Sequence, residues 1–213
     1  MRWALIPVKD LRSAKERLGS ALSERDRERL ALAMLRDVIA TAAQVVDGVA
    51  VVSRDSEALW TAREAGATPL LEPGNVAGLN GALEHAARSL MRRRSCDTLL
   101  IVHADVPLIR AYDLRGALDA LAGDRCVVAV RSHDGGTNAL VLRPPDAIRL
   151  RFGPRSFDAH AEEAEAAGVR FVALHNDRIA FDVDRPEDLM ALLARRPGGA
   201  TGELLSGLLP ASA

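Results

Sequence analysis

The sequence predicts an α/β fold, a doubly wound and mostly parallel sheet with helices on both faces. Three observations carry this. Short runs rich in Val, Ile and Leu alternate with helical stretches at βαβ spacing up to about residue 130. Several of these runs are apolar throughout, as strands buried on both faces must be. With 48% hydrophobic but only 3% aromatic residues, the core must be built from Ala, Val, Leu and Ile.

The elements follow in order. Ala4–Lys9 is a first strand, an apolar run closed by Pro7 and charge. Ser23 ahead of Asp26 reads as a helix N-cap, and Leu30, Ala33, Met34, Val38 and Ala42 keep helical spacing. Gly48–Ser53 is a second strand, and Glu57–Ala65 a helix stopped by Gly66. Thr68–Leu71 is a short strand, followed by a helix from Leu79 to Met91. Thr98–Val102 is a strongly apolar strand that leads into His103-Ala104-Asp105, and Tyr112–Leu121 is helical. Cys126–Arg131 and Ala139–Leu142 are strands on either side of Gly135-Gly136, where the rhythm changes and antiparallel pairing is expected. Ser156 reads as the cap of a helix to Ala167, Val169–Leu174 is a strand, and Ile179–Val183 is a final short one. Pro186 stands near the start of a helix through Ala194. The reading is a single domain over 1–196 with a flexible, Gly-rich tail over 197–213.

A formal net charge of -1 gives no electrostatic case for nucleic acid or an anionic membrane. No apolar run approaches the roughly 18 residues of a membrane helix. Cys96 and Cys126 lack CxxC spacing, so neither a structural zinc nor a disulfide framework is expected, and a reducing cytoplasm is.

In sheets of this kind ligands bind beyond the carboxyl ends of the strands. The loop Pro7-Val8-Lys9-Asp10-Leu11-Arg12-Ser13-Ala14-Lys15-Glu16-Arg17 puts four cations directly after the first strand. Ammonium tips and backbone N–H groups there can cradle a triphosphate. The loop has neither Walker A nor GxGxxG spacing, which sets aside the common ATPase and dinucleotide readings. The bland alternative is a solvated turn with Asp10 and Glu16 as ion-pair partners. Lys9 and Lys15 are the only lysines among 28 basic residues. An ammonium is a compact point charge, whereas a guanidinium is a planar fork, so these are two places where the smaller cation is wanted. Lys9, nearer the strand end, is expected to tolerate arginine less well than Lys15.

Asp105, just past a buried strand, can hold Mg²⁺, against the bland reading of a turn residue or cap. Asp182 and Asp184 share one face if their strand continues. His103 is left without a role. Asp134-Gly135-Gly136-Thr137-Asn138 reads as a tight turn, and Phe152-Gly153-Pro154-Arg155-Ser156 as a loop into a helix. Both place small residues and hydroxyls beside free N–H groups, a setting for an anion. Asn80 opens a helix with an amide that could meet a base edge, or could simply cap that helix.

Taken in order, the segments IPVKDLRSAKERL, GLNGALEHA, VHADVPLI, DGGTNALVLRPP, FGPRSF and FDVDRPEDL resemble the 2-phospholactate and phosphoenolpyruvate guanylyltransferase family of deazaflavin coenzyme F-420 biosynthesis. The resemblance runs from Ile6 to about Leu193. It implies a fold like the nucleotide-diphospho-sugar transferases. The implied activity is Mg²⁺-dependent transfer of GMP from GTP to the phosphate of 2-phospholactate, phosphoenolpyruvate or a phosphoglycerate, with release of pyrophosphate. It assigns Pro7, Val8, Lys9, Arg12, Lys15 and Arg17 to the triphosphate and Asn80 to the guanine region. Asp105, Asp182 and Asp184 would hold Mg²⁺, and Thr137, Gly153 and Ser156 would contact the acceptor. Lys9, Lys15 and Asp105 are the residues expected to carry catalysis. One departure is His103, where relatives can have a carboxylate; a second metal would then depend on Asp184 or the substrate. The expected partners are GTP and a small phosphorylated carboxylic acid, with neither nucleic acid nor membrane, and a homodimer as one open assembly. Two rival readings stay open: a cytidylyl- or molybdopterin-type nucleotidyltransferase, and a non-catalytic nucleotide-binding regulator.

Overall fold

Apolar runs of four to seven residues satisfy their backbone groups against one another, and seven of them form one sheet in the order β3-β2-β1-β4-β6-β5-β7. The strands are β1 (Arg2–Pro7), β2 (Gly48–Ser53), β3 (Thr68–Leu71), β4 (Thr98–Val102), β5 (Cys126–Arg131), β6 (Thr137–Arg143) and β7 (Arg170–Leu174). The structure, a computed structural model, describes residues 1–11, 15–74, 76 and 78–208. β1 pairs in parallel with β2 and β4, β2 with β3, and β5 with β7. β6 runs antiparallel between β4 and β5, so the expected change of rhythm around Gly135-Gly136 is a real change of strand direction.

The helices are α1 (Glu24–Ala42), α2 (Ser56–Glu64), α3 (Gly78–Arg94), α4 (Ala111–Asp119), α5 (Ser156–Ala166), α6 (Asp177–Ala180), α7 (Pro186–Ala194) and α8 (Gly199–Leu208). Alternate residues of β1 face opposite ways. Ala4 and Ile6 pack with Leu35 and Ile39 of α1, Ala62 of α2 and Leu114 of α4. Trp3 and Leu5 pack with Leu83 and Ala86 of α3 and Ala164 of α5. Each fully buried leucine in these layers contributes about 2 kcal/mol of hydrophobic stabilisation. A third cluster joins Leu18, Leu30, Met34, Phe181, Val183, Leu189, Leu192 and Leu205. Among the described residues no helix is long and apolar enough to cross a membrane.

Three expectations are corrected. Ile179–Val183 is not a strand. Residues 177–180 form α6, because Asn176 accepts hydrogen bonds from the Arg178 and Ile179 N–H groups and starts a helical turn. Ser156 does not cap α5 but is its first residue; the cap position is Arg155, at φ 54°. The tail expected to be loose from 197 is helical over Gly199–Leu208. Both oxygens of the Asp37 carboxylate on α1 accept from the Ala200 and Thr201 N–H groups at 2.8 and 2.9 Å. Leu205 then enters the third cluster, a capped amphipathic turn hidden by the glycines around it.

Candidate active site

The site lies beyond the carboxyl ends of β1 and β4, where the chain must turn and leave backbone groups and charges unlaced by the sheet. The loop after β1 is tied to the end of β2: Val8 N–H donates to Val52 C=O at 3.0 Å, and Leu11 N–H donates to Asp55 Oδ2 at 3.1 Å. The other Asp55 oxygen caps α2. Arg12 lies outside the described residues. Lys15 adopts φ 54°, the left-handed region that costs a side-chain-bearing residue roughly 1–2 kcal/mol. That turn sends its ammonium back across the cleft to Asp105 Oδ2 at 2.5 Å and Asp184 Oδ1 at 3.9 Å. Arg17 Nη1 meets Asp184 Oδ2 at 2.6 Å.

Two clasps bring the carboxylates to this point. Val183 N–H donates to Asp105 C=O at 3.1 Å, joining the α6–α7 connection to the end of β4. Asp113, buried in α4, accepts from Asn176 Nδ2 at 2.7 Å and from Arg178 Nε and Nη2 at 2.7 and 2.6 Å, which fixes α6 just ahead of Asp182. Burial would raise the Asp113 carboxyl, but these charged and amide donors outweigh it and hold it below the usual carboxylate range. Asp188 accepts from the Asp184 and Arg185 N–H groups and sets the approach to α7.

The electrostatics divide the acids. Burial pushes Asp105 up, but its neighbours, the Lys15 ammonium first among them, together more than offset it and keep the carboxyl low. Asp182 goes the other way, raised by burial and by the neighbouring Asp105 charge, although Asn138 Nδ2 donates to its Oδ1 at 3.2 Å. Asp105 Oδ1 is buried with no hydrogen-bond partner. His103 is held neutral by burial, its ring 5.4 Å from that of Phe152, and its Nε2 is likewise buried without a partner. Among the described residues no three His, Cys, Asp or Glu side chains are gathered into a ready metal cage. Instead an ammonium stands between two carboxylates, beside an orphaned carboxylate oxygen and a third acid whose charged form is penalised. These donors fit a hard cation once Lys15 is drawn away.

A cleft of about 280 Å³ is lined by Lys9, Lys15, His103, Asp105, Asp184 and Leu79, with Lys9 exposed at its rim. A cavity of about 590 Å³ adjoins it, sharing Pro7, Val8, Lys9 and Leu79 and adding Arg54, Asp55 and Glu72. There Arg54 Nη2 pairs with Glu72 Oε1 at 2.8 Å. The sequence reading missed this pair. Arg54 directly follows β2 and Glu72 directly follows β3, so the strand-end rule that found Asp105 would have found both.

Thr137, Gly153 and Ser156, expected from the resemblance to contact the acceptor, lie together. Ser156 Oγ donates to Thr137 Oγ1 at 3.2 Å, and Ser156 N–H to Gly153 C=O at 3.1 Å. Gly153 has φ 145°, a backbone conformation that L side chains rarely adopt. A Cβ on Gly136 would come within 2.8 Å of Ser132 Oγ and 3.1 Å of Asp134 Oδ1, so any side chain there would have to push these groups aside. Asn138, next to Thr137, connects this group to Asp182. Asn80 is neither N-cap nor free. It lies inside the first turn of α3 and grips the Phe152 backbone twice, receiving its N–H at 2.7 Å and donating to its C=O at 3.0 Å.

Comparison with known proteins places this geometry. A family described as "Guanylyl transferase CofC like" matches residues 2–208. The phosphoenolpyruvate guanylyltransferase of Sphaerobacter thermophilus is 42% identical, over 94% of this chain and 96% of its own. The 2-phospho-L-lactate guanylyltransferase of Methanothermobacter thermautotrophicus is 38% identical, over 96% of this chain and 90% of its own. A solved chain from Desulfovibrio desulfuricans G20, assigned to the nucleotide-diphospho-sugar transferases, superposes with a TM-score of 0.77 at 18% identity, covering 97% of this chain and 94% of that one.

Proposed function

We infer the activity from a premise now in hand: the chain belongs to the CofC-like guanylyl transferase family. It is a nucleotidyltransferase that moves GMP from GTP to the phosphate of a small phospho-acid of the phosphoenolpyruvate or 2-phospholactate kind, releasing pyrophosphate, in coenzyme F-420 biosynthesis. Beyond family membership, the observation that carries this reading is the Lys15 bridge between Asp105 and Asp184. It puts a phosphate-seeking ammonium and cation-seeking carboxylates in one cleft.

The acceptor phosphate is already anionic at neutral pH, so one of its oxygens attacks the α-phosphorus of GTP without a general base. What the residues must supply is alignment and charge neutralisation. Lys9, Lys15 and Arg17 bind the β- and γ-phosphates and stabilise the departing pyrophosphate. Lys15 exchanges the carboxylates for phosphate oxygens as GTP arrives. Asp105, Asp182 and Asp184 are then the residues that would hold Mg²⁺, which when bound neutralises phosphate charge and helps align the reacting groups. Thr137, Ser156 and the Gly153 backbone hold the acceptor at the start of α5, where free N–H groups favour an anion.

The guanine base occupies the cavity beside β2 and β3. Guanine offers acceptors at O6 and N7 and donors at N1 and N2, which complement the Arg54 guanidinium and the Glu72 carboxylate. Asn80 contributes from the other side, by holding Phe152 next to Gly153. The test is to incubate the protein with each of the four NTPs in turn, MgCl₂ and each phospho-acid separately, and to identify products by mass spectrometry. A product in which GMP is joined to one acid through a single diphosphate linkage, formed with GTP alone among the four NTPs, is expected. Adducts with CTP instead would overturn the base assignment, and no adduct with any acid would overturn the acceptor class.

A further inference from the structure

His160 lies in α5 and is fully buried, yet both ring nitrogens are engaged. Its Nε2 faces the Arg151 N–H at 3.0 Å, and its Nδ1 faces Thr137 Oγ1 at 3.1 Å. A backbone N–H can only donate, so Nε2 must be the bare, accepting nitrogen. A neutral imidazole then carries its proton on Nδ1 and donates it to Thr137. Burial favours the neutral form, lowering the ring pKa to about 4.

The consequence falls on the threonine. A hydroxyl has two acceptor sites and one proton. Thr137 Oγ1 receives one hydrogen bond from His160 Nδ1–H and a second from Ser156 Oγ–H at 3.2 Å. Its own proton is left to be given away. Were Nδ1 bare instead, Thr137 would commit that proton to the ring, and its oxygen would meet an anion lone pair to lone pair. The Arg151 backbone forbids that arrangement.

We propose that His160 is a positioning residue for the phospho-acid: its Nδ1–H, polarised by the Arg151 N–H on the far nitrogen, fixes the Thr137 hydroxyl as a donor to an anionic oxygen of the acceptor. This rests on the reading that Thr137 contacts the acceptor. The phenyl ring of Phe152, 4.8 Å from the imidazole and nearly perpendicular to it, holds the ring plane, and Asn80 in turn holds the Phe152 backbone. A helix face with a buried histidine thus becomes part of the recognition of one substrate and not the other.

Two near-isosteres separate positioning from packing. In His160→Asn the amide N–H₂ stands near the Nδ1 position and can still donate to Thr137. In His160→Gln the amide stands near Nε2 and can satisfy Arg151, but leaves Thr137 without its donor. Both lose the ring. The expected result is an acceptor KM raised about tenfold or more in His160→Gln and within about threefold of the parent in His160→Asn, with the KM for GTP unchanged in both. In a Thr137→Val background, His160→Gln should add nothing to the acceptor KM. Equal effects of the two variants, or a full effect of His160→Gln on top of Thr137→Val, would overturn the proposal. Nitrogen NMR of the parent protein gives a readout that needs no stable variant: the His160 ring should be protonated at Nδ1 and bare at Nε2, and the opposite tautomer would overturn the proposal outright. If Thr137→Val itself leaves the acceptor KM unchanged, the acceptor site has been misplaced. If Thr137→Val raises it and His160→Gln does not, that site stands and the role of His160 falls.

Discussion

The proposed nucleotide and acceptor sides of the site hold their polar groups in opposite ways. On the nucleotide side the groups are full charges that satisfy one another across loops: Lys15 with Asp105 and Asp184, Arg17 with Asp184, Arg54 with Glu72. Several are open to solvent, the Arg17 side chain by 66%. On the acceptor side the groups are neutral and closed in, with Thr137 and Ser156 each 2% exposed and His160 not exposed at all. An exposed ion pair changes partners cheaply, because another charge replaces the one lost. A buried neutral relay cannot, since each broken bond leaves a desolvated donor or acceptor. The outer pairs of the proposed nucleotide side, such as Arg17–Asp184, can therefore exchange internal partners for a ligand, whereas the Thr137–Ser156–His160 relay is set before a ligand comes.

The largest break in this contrast should come from the acids. Asp105→Asn or Asp184→Asn should cut pyrophosphate release at saturating Mg²⁺ by at least about a hundredfold, with melting temperature little changed. Near-normal turnover in both would remove the metal from this side of the cleft. Lys15 comes next. By distance along the chain Lys9 was expected to be the more demanding lysine, but it is Lys15 that is drawn inside, with its side chain 10% exposed and its ammonium on Asp105. Lys15→Arg should lower turnover about thirtyfold, against about tenfold for Lys9→Arg, because a planar fork cannot take the place of a point charge among crowded oxygens. If Lys15→Arg is as active as the parent, the bridge is an incidental surface pair.

Smaller effects should mark the boundary between the sides. Ser156→Ala should raise the acceptor KM about tenfold and leave that of GTP alone, as expected for a preset site that serves one substrate. Parallel rises in both constants would mean that the sides are not separate. Glu72→Gln should narrow the preference for GTP over ITP, which lacks the exocyclic amine, by about fivefold in kcat/KM. An unchanged ratio would move base recognition away from β3.

Strands such as Thr98–Val102 and Cys126–Arg131 were legible to the residue, because a run apolar on both faces is hard to read otherwise. The place of Asp105 at the cleft was legible for a related reason: it stands just past the carboxyl end of such a run, where ligands bind in sheets of this kind. The misreading of Ile179–Val183 has a tertiary cause beside the local Asn176 cap, since the bonds from Asn176 and Arg178 to Asp113 span more than sixty residues of chain. Asn80 shows the same limit, its amide being taken up by Phe152, 72 positions away. His160 carried no signal at all. A lone histidine among alanines and acids reads as packing until the direction of a backbone N–H, nine residues earlier, reveals its tautomer.

The clasp between Asp37 and α8 bears on how a helix outside the cleft supports it. Leu205 of α8 enters the cluster that also contains Leu18, Met34 and Val183. Leu18 lies three residues beyond Lys15, Val183 is next to Asp184, and Met34 lines the cleft itself. Without α8, the two segments that carry the ammonium and its carboxylate partner would lack part of their apolar backing. Through that shared cluster α8 backs the segments of Lys15 and Asp184 from behind, although among the described residues it lends no side chain to the lining of the cleft.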